Sequence, residues 1–237
     1  MKTKKRLDKV SVIFLQLAMF FVACLIASNV FETKQIAVGS INLTGGLLIF
    51  PLTYVICDCI CEVWGYHRVC LVIWTGFLLN FLFMAVGALV DIIPGAPYYE
   101  NAEGFHAIFG LAPRITLASC IAFLAGSFIN ARVLSGMKVR TGGKKLAGRL
   151  ILSSVAGEAA DSLLFFPIAF IGVLAGKEMM NQLLLQFVLK TVYEIILLPV
   201  TTWVIRKLKQ YEGEDTYDRD INYGIFEVFK RRQAESI

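Results

Sequence analysis

Six long apolar stretches alternate with short polar connections along the 237 residues of this chain. They cover about residues 10–31, 44–64, 69–91, 112–134, 147–174 and 182–205, and each is long enough for an α-helix that crosses a bilayer, which takes about 20 residues. The pattern predicts an all-α polytopic membrane protein with six transmembrane helices. The first stretch is too long for the core of a signal peptide and no small-residue cleavage site follows it, so we expect it to be retained.

The polar connections carry very different numbers of Lys and Arg. Fifteen lie before the first stretch, between the second and third, in residues 132–149, which include the adjoining ends of the fourth and fifth stretches, and just after the sixth. The alternate connections, counted with the adjoining ends of their stretches, hold only Lys34, Arg114 and Lys177. Because cytoplasmic connections are the basic ones, both termini are predicted to lie in the cytoplasm. The protein itself is expected to be a multi-pass protein of the cytoplasmic (inner) membrane. The net charge of +5 then needs no nucleic-acid partner.

We divide the chain into a six-helix transmembrane domain, residues 1–209, and a cytoplasmic tail, residues 210–237. The charge density of the tail predicts that it lies in water. The outer connection, residues 91–113, is interpreted as a passive surface loop, with a short amphipathic lid around Phe105, Ile108 and Phe109 as the alternative.

The second apolar stretch departs from a regular membrane helix. Gly45, Gly46 and Pro51 predict an irregular start and a helix that is kinked or broken near Pro51. Two readings stay open, an ordinary proline kink and a broken helix that lines a binding site. Just before this stretch, residues 35–38 are strand-like.

Carboxylates interrupt the apolar stretches. Asp58 and Glu62 are four residues apart, so they project from one face of a helix. A carboxylate at the membrane centre costs about 2.5–3.5 kcal/mol, and both are therefore expected to face a polar cavity. Glu158 and Asp161 share a face in the fifth stretch. Lys190 and Glu194 do so in the sixth, where Lys190 is able to pair with Glu194 or with a carboxylate elsewhere.

These buried charges favour a site for a donor-rich or cationic ligand, or for protons or sodium, over charge pairs that only fix helix register. No catalytic motif such as HExxH or GxSxG is present, so an enzyme is not predicted. The six cysteines, among them Cys57 and Cys61 on one helical face, lack a second ligand cluster. Neither a metal nor a cofactor is therefore expected.

The segment FPLTYVICDCICEVWGYHR, residues 50–68, resembles the signature of the queuosine precursor transporter family, formerly grouped as vitamin uptake transporters. Weaker similarities follow in order along nearly the whole chain, at Ser28-Asn29 with Lys34, Arg114 with Ala118-Ser119 and Ala122-Phe123, Gly157, Asp161-Ser162, Phe165, Phe166, Lys190, Pro199, Tyr217-Asp218, Asn222-Tyr223 and Phe226. The chain departs from the family pattern at Glu158, where Gln is usual, and near Asn130, where Asp is usual. These departures leave the preferred deazapurine open.

The resemblance implies inward transport of a 7-deazaguanine base, either the cyano or aminomethyl precursor or queuine, for salvage into tRNA queuosine. One alternative is a substrate-binding membrane subunit of a vitamin uptake system that needs a separate ATPase module, docked through the small residues Ala118, Ala122 and Gly126. Another is a structural or accessory membrane protein. The expected partners are a small molecule and membrane lipid. A homo-oligomer is possible, and any energising partner stays open.

A guanine-like edge offers two adjacent N–H donors, which one carboxylate accepts together, and a second carboxylate is able to hold a cationic amine. We expect Asp58 or Glu62, Glu158 or Asp161, and Lys190 to face a common cavity, with Asp161 on the guanine-like edge. The full set of candidate binding residues is Asp58, Glu62, Glu158, Asp161, Lys190, Glu194, Asn29 and Arg114, with Phe50, Tyr54 and Phe166 as aromatic walls.

Overall fold

Helices account for most of the chain. The computed structural model describes residues 10–38, 41–110, 113–172 and 175–226, without the side chains of residues 35, 38, 41–43 and 113–116. Its α-helices are α1 Val12–Glu32, α2 Phe50–Trp64, α3 Tyr66–Ile92, α4 Ala102–Phe109, α5 Pro113–Thr141, α6 Leu146–Phe170 and α7 Gly176–Glu212. Within these ranges six helical segments are long and apolar enough to cross a membrane: α1, α2 with the turn before it, α3, α5, α6 and α7. The predicted all-α fold with six membrane helices is confirmed.

The second membrane segment starts irregularly, as predicted. Strands β1 (Gln35–Val38) and β2 (Ile41–Thr44) form an antiparallel hairpin, and a 3-10 turn over Gly45–Leu48 follows directly. Helix α2 begins at Phe50, so Pro51 lies in its first turn, where its missing N–H breaks no helical hydrogen bond. A Cβ on Gly45 would be only 2.7 Å from the carbonyl oxygen of Phe31, so glycine lets this turn lie against the end of α1. The kink near Pro51 stays a prediction.

Several helices extend beyond the apolar stretches that predicted them. Helix α5 continues to Thr141 and α6 begins at Leu146, so the polar connection between the fourth and fifth apolar stretches is reduced to a short turn. Helix α7 likewise continues to Glu212. Lys, Arg and Gln are good helix formers, and the helices therefore continue where the apolar pattern stops.

The connection between α3 and α5 contains the short helix α4, where a surface loop was expected. Phe109 of α4 packs on Phe83 of α3 with ring centroids 5.7 Å apart. His106 Nδ1 lies 2.6 Å from Asp91 Oδ2 at the end of α3. The segment is thus attached to α3, and a role for it as a lid stays a prediction.

The basic connections meet at one end of the bundle. Ser11, just before α1, donates to Glu212 at the end of α7 (2.6 Å), and Arg149 of α6 pairs with Glu62 of α2. At the opposite end, Tyr193 Oη donates to the carbonyl oxygen of Leu48 (3.1 Å). This arrangement fits the predicted alternation of the connections. That the basic end is cytoplasmic stays a prediction, and the basic residues before Val10 lie outside the described residues.

The described part of the tail packs on this basic end instead of lying free in water. The Asp218 carboxylate accepts hydrogen bonds from the Tyr66 backbone N–H (2.8 Å) and from Ser135 Oγ (2.6 Å). Gly65, with φ of +89°, makes room for that carboxylate between α2 and α3. The boundary at residue 210 stays a prediction, although α7 runs across it, and residues 227–237 lie outside the described part.

Candidate functional site

The structure divides the predicted charged residues among three places. Asp161 and Lys190 form an ion pair in one pocket. Asp58, Glu158 and Glu194 lie together deeper in the bundle. Glu62 lies at the basic end, among cationic side chains. The pocket of the ion pair takes Asp161 from α6, and a smaller cavity takes Asp58 from α2. A common cavity shared by one carboxylate of each pair therefore stays a prediction.

The pocket around the ion pair, called here the Asp161 pocket, lies between the helices at the end away from the tail. Lys190 Nζ donates to Asp161 Oδ2 at 2.8 Å, and their side chains are only 11% and 8% exposed. Lys190 Nζ also lies 4.2 Å from the centre of the Phe50 ring, a cation–π contact. The pocket is lined by Ser28, Asn29, Glu32, Thr44, Leu47, Phe50, Asn80, Met84, Ser119, Cys120, Asp161, Phe165, Gln186 and Lys190.

Amide side chains form one wall of the Asp161 pocket. Asn29 Nδ2 donates to Asn80 Oδ1 (3.2 Å), and Ser119 Oγ donates to Asn29 Oδ1 (3.2 Å). The wall thereby joins α1, α3 and α5. Asn29 was predicted for the site, but Asn80 was not. The signal for Asn80 was a strongly polar amide in the middle of the third apolar stretch, where such a group needs a partner.

Glu32 is the second pocket residue that the sequence analysis missed. It is the last residue of α1, and it lines the pocket beside Thr44. A Cβ on Gly46 would clash with its carboxylate, so glycine makes the space in which Glu32 lies. Its position at the end of an apolar stretch gave it the look of an ordinary boundary residue.

The three aromatic residues predicted to form walls of the site lie in different places. Phe50 lines the pocket, and the Tyr54 ring lies behind it with centroids 5.6 Å apart. Phe166 is buried away from the pocket, whereas its neighbour Phe165 lines it. Arg114 begins α5, but its side chain lies outside the described residues.

The group deeper in the bundle, called here the acidic trio, consists of Asp58, Glu158 and Glu194. Asp58 Oδ1 accepts from Asn130 Nδ2 (2.8 Å), and Glu158 Oε2 accepts from Thr191 Oγ1 (2.9 Å). Asp58 and Glu194 line a second, smaller cavity. Among the described residues, Oε1 of Glu158 and Oε1 of Glu194 have no hydrogen-bond partner.

Glu62 has a saturated environment. Its side chain is fully buried, one carboxylate oxygen contacts Arg149, and the other lies 2.9 Å from Lys209 Nζ and 3.9 Å from Lys138 Nζ. Although Asp58 and Glu62 project from one face of α2, they lie about one turn apart along it. Arg149 pairs with Glu62, the residue nearer the basic end. The structure therefore does not bring Glu62 to the Asp161 pocket.

The geometry described so far provides a small-molecule pocket inside a bundle of membrane helices. No group of three or more His, Cys, Asp or Glu side chains in the described ranges is placed to hold a metal ion. The chemistry available in the pocket is charge-assisted hydrogen bonding by Asp161, Lys190 and Glu32 beside an aromatic face.

Comparisons with known proteins bear on the family to which the chain belongs. A family model described as "Putative vitamin uptake transporter" matches residues 44–204, more than half of the chain. A curated protein of Bacillus subtilis (strain 168) named "Probable queuosine precursor transporter" is 22% identical over 186 residues, which cover 73% of this chain and 76% of that protein. No solved structure matches the chain. The family predicted from the sequence is confirmed, and the chain belongs to the membrane transporter family described as "Putative vitamin uptake transporter".

Proposed function

We propose that this chain imports a 7-deazaguanine base, a queuosine precursor, across the cytoplasmic membrane for salvage into tRNA. The observation that carries the proposal is the buried pair of Asp161 and Lys190 against the Phe50 ring. A buried ion pair that served packing alone would be replaceable by apolar side chains of similar volume. Here the pair lines a pocket, where a ligand is able to use it. The name of the Bacillus subtilis relative supports the same class of substrate.

The pair matches a guanine-like edge in the order of its donors and acceptors. Such an edge presents a ring carbonyl beside a ring N–H and an exocyclic amine. The Asp161 carboxylate is able to accept from both nitrogen donors, and the Lys190 ammonium is able to donate to the carbonyl. The flat ring would stack on Phe50. An adenine-like edge offers an acceptor where the ring N–H should be, so it would leave one carboxylate oxygen without a donor.

A second carboxylate in the pocket suits the side chain of the base. Glu32 is partly exposed to the pocket, and it is available for the cationic amine of an aminomethyl precursor or of queuine. The amides of Asn29 and Asn80 supply neutral donors and acceptors for the remaining polar groups. The cyano precursor lacks the amine, so its affinity should depend little on Glu32.

The alternative, a subunit that docks to a separate ATPase module, loses its structural motivation. Ala118 and Ala122 are fully buried and Gly126 is buried inside the chain. The small-residue face that would accept a partner helix is therefore used within the bundle. Uptake by the purified chain alone in liposomes distinguishes a self-sufficient carrier from such a subunit.

The first prediction concerns recognition by Asp161. Asp161→Asn should weaken binding of 7-aminomethyl-7-deazaguanine by about tenfold to a hundredfold, because a charge-assisted hydrogen bond contributes about 1.5–3 kcal/mol. Binding is measured as thermal stabilisation of the detergent-solubilised protein, across a panel of deazaguanines, deazaadenines, ordinary purines and vitamins. A hundredfold excess of ligand over its Kd should add about 2.7 kcal/mol to wild-type stability.

Glu178→Gln is the matched control, because this carboxylate is exposed at the start of α7 and its variant should bind like the wild type. Equal affinity of the wild type and Asp161→Asn, both folded, would contradict the assigned role of Asp161. A vitamin that stabilised the protein while no deazaguanine did would contradict the substrate class.

A further inference from the structure

The acidic trio differs from the other buried carboxylates in its charge balance. Asp161 is paired with Lys190, and Glu62 is surrounded by three cationic side chains. In the described part of the chain, the ion pairs of the Lys and Arg side chains are with other carboxylates and not with Asp58, Glu158 or Glu194. Lys190 acts on Glu158 and Glu194 only through space, because its ammonium is bonded to Asp161.

The hydrogen bonding around the trio is also incomplete. Glu158 is fully buried, yet its Oε1 has no partner among the described residues. The same holds for Oε1 of Glu194 and Oδ1 of Asn130, which are two more acceptors, and for the Tyr54 hydroxyl, which has one hydrogen to donate. The three acceptors therefore outnumber the one unused donor of this group. Acceptors without donors are costly when buried. A proton on one of the carboxylates would convert an acceptor into the missing donor.

Among the described groups that interact with the trio, Lys190 is the one cation, and it is bonded to Asp161. The groups are Asp58, Glu62 and Tyr54 from α2, Asn130 from α5, Ser154, Glu158 and Asp161 from α6, and Glu194, Lys190 and Thr191 from α7. Three neighbouring carboxylates inside a membrane bundle cannot all stay ionised without a bound cation. A proton is the cation that also supplies an O–H donor to the unpartnered oxygens, so the hydrogen bonding favours protons.

We propose that Asp58, Glu158 and Glu194 form a proton-binding site that couples proton entry to import of the base. This inference rests on the proposed function and adds its energy source. A carboxylate oxygen of the trio takes a proton from water on one side of the membrane. The same O–H bond breaks when the proton is released to water on the other side. Proton and charge are thereby conserved in each cycle.

Tyr54 provides the physical link between the trio and the Asp161 pocket. Its hydroxyl is close enough to interact electrostatically with Asp161, Glu158 and Glu194, and its ring lies against Phe50. Lys190 acts on the same carboxylates. When the base occupies Asp161 and Lys190, the field of this ion pair at Glu158 changes. Binding of the base and binding of a proton are therefore linked, and the linkage is reciprocal.

The test uses the purified full chain in liposomes and labelled 7-aminomethyl-7-deazaguanine. Counterflow, in which internal unlabelled base exchanges for external label, needs no gradient and reports the carrier activity itself. Net uptake is then measured with a pH gradient, acid outside, with the membrane potential clamped by potassium and valinomycin. One pH unit should drive about tenfold accumulation for each coupled proton, and a sodium gradient should drive none.

Glu158→Gln and Glu194→Gln should keep counterflow and lose the acid-driven accumulation, while Glu178→Gln should retain both. Absence of counterflow in the wild type would contradict the proposed function. Counterflow without acid-driven accumulation, or accumulation driven by sodium, would leave carrier function intact and overturn the proton site.

A variant that fails to fold does not leave the inference untested. The ligand 7-aminomethyl-7-deazaguanine is added to the wild-type protein in weakly buffered detergent that contains a pH-sensitive dye, and the experiment is repeated over a range of starting pH values. Proton uptake or release that depends on the nucleobase supports the linkage between nucleobase binding and proton binding. Binding with no proton exchange at any pH would overturn it.

Discussion

Glu62 shows how a buried charge can serve the scaffold while its neighbour on the same helical face does not. Its carboxylate lies among Arg149, Lys209 and Lys138, and Arg149 is itself only 1% exposed. A carboxylate with this many charge-assisted contacts has little capacity left for a ligand. We therefore assign Glu62 to the stability of the basic end.

Glu62→Gln should lower the free energy of unfolding by about 3–5 kcal/mol, because it leaves Arg149 buried without its counter-charge. The affinity of the folded fraction for the base should change little. The two quantities are separated by measuring thermal unfolding and ligand binding in the same detergent. Glu214→Gln is the control, since Glu214 and Arg68 form an exposed pair at 3.7 Å, worth at most about 1 kcal/mol. A variant of normal stability with weak binding would assign Glu62 to the ligand instead.

At the scale of single residues, the sequence indicates which charged side chains are important better than it indicates which groups they contact. Lys190 was recognised as able to pair with a distant carboxylate, and it pairs with Asp161, one helix away. The partners of Glu62 were not foreseen. Lys138 and Arg149 were counted among the basic residues around the connection between the fourth and fifth apolar stretches, because hydropathy marks the membrane span and not the end of the helix. Only the three-dimensional approach of α2, α5 and α6 shows that both side chains turn inward.

Helices α5 and α6 pack tightly against each other near the site. A Cβ on Gly157 would lie 2.8 Å from Asn130 Cβ, 2.8 Å from the Gly126 carbonyl oxygen and 3.1 Å from Tyr54 Cε1. Glycine at this crossing therefore allows the backbones to approach. The contact also fixes Asn130 and Tyr54, which face the acidic trio.

Gly157→Ala should push α5 and α6 apart and destabilise the protein by about 1–3 kcal/mol, the usual cost of overpacking. Gly136→Ala is the matched control on α5, because a Cβ there meets no atom within 4 Å. Alanine in that helix interior should be neutral or stabilising, by up to about 1 kcal/mol. Thermal unfolding of both variants checks the pair. Equal melting temperatures would show that the crossing tolerates a methyl group.

At the scale of elements, the six membrane segments were predictable because hydropathy is read from neighbouring residues alone. A run of some twenty apolar residues has few structures open to it other than a membrane helix. Helix α4 was not, since an eight-residue helix in a polar connection depends on Phe109 packing against α3. The Asp161 pocket was only half predictable. Its charged pair interrupts apolar stretches visibly, whereas Glu32 and Asn80 gain their meaning from the meeting of α1, the hairpin and α3.

The tail joins the basic end of the whole molecule into one structure. Lys138 Nζ donates to the Thr216 carbonyl oxygen (2.6 Å), and Trp74 Nε1 donates to the Ile225 carbonyl oxygen (2.9 Å). Asp215 lies 2.6 Å from Lys138 Nζ and 2.8 Å from Lys209 Nζ. Partial burial by itself would raise the pKa of Asp215, but these hydrogen bonds outweigh burial and hold the pKa below its usual value.

The sign of the pH dependence follows from that direction. The contribution of Asp215 to stability is present above the pKa of an unfolded aspartate, about 3.9. It is lost as the pH falls through the lower pKa of the folded state. Attachment of the tail should therefore persist at neutral pH and weaken only in strong acid.

Truncation after Gly213 tests the tail while leaving α7 and its last turn intact. The truncated chain loses the Asp215 and Thr216 partners of Lys138, which is 1% exposed, and loses the Asp218 cap on α3. Each hydrogen bond to a charged group contributes about 1.5–3 kcal/mol, so the melting temperature should fall clearly. Affinity for the nucleobase should stay within about twofold, because none of the described residues beyond Gly213 lines the Asp161 pocket. Asp220→Asn, at an exposed tail position, is the control and should melt like the wild type.

An unchanged melting temperature of the truncated chain would make the tail a passive extension. Normal stability with lost affinity would instead mean that the tail controls the pocket from the opposite end of the bundle.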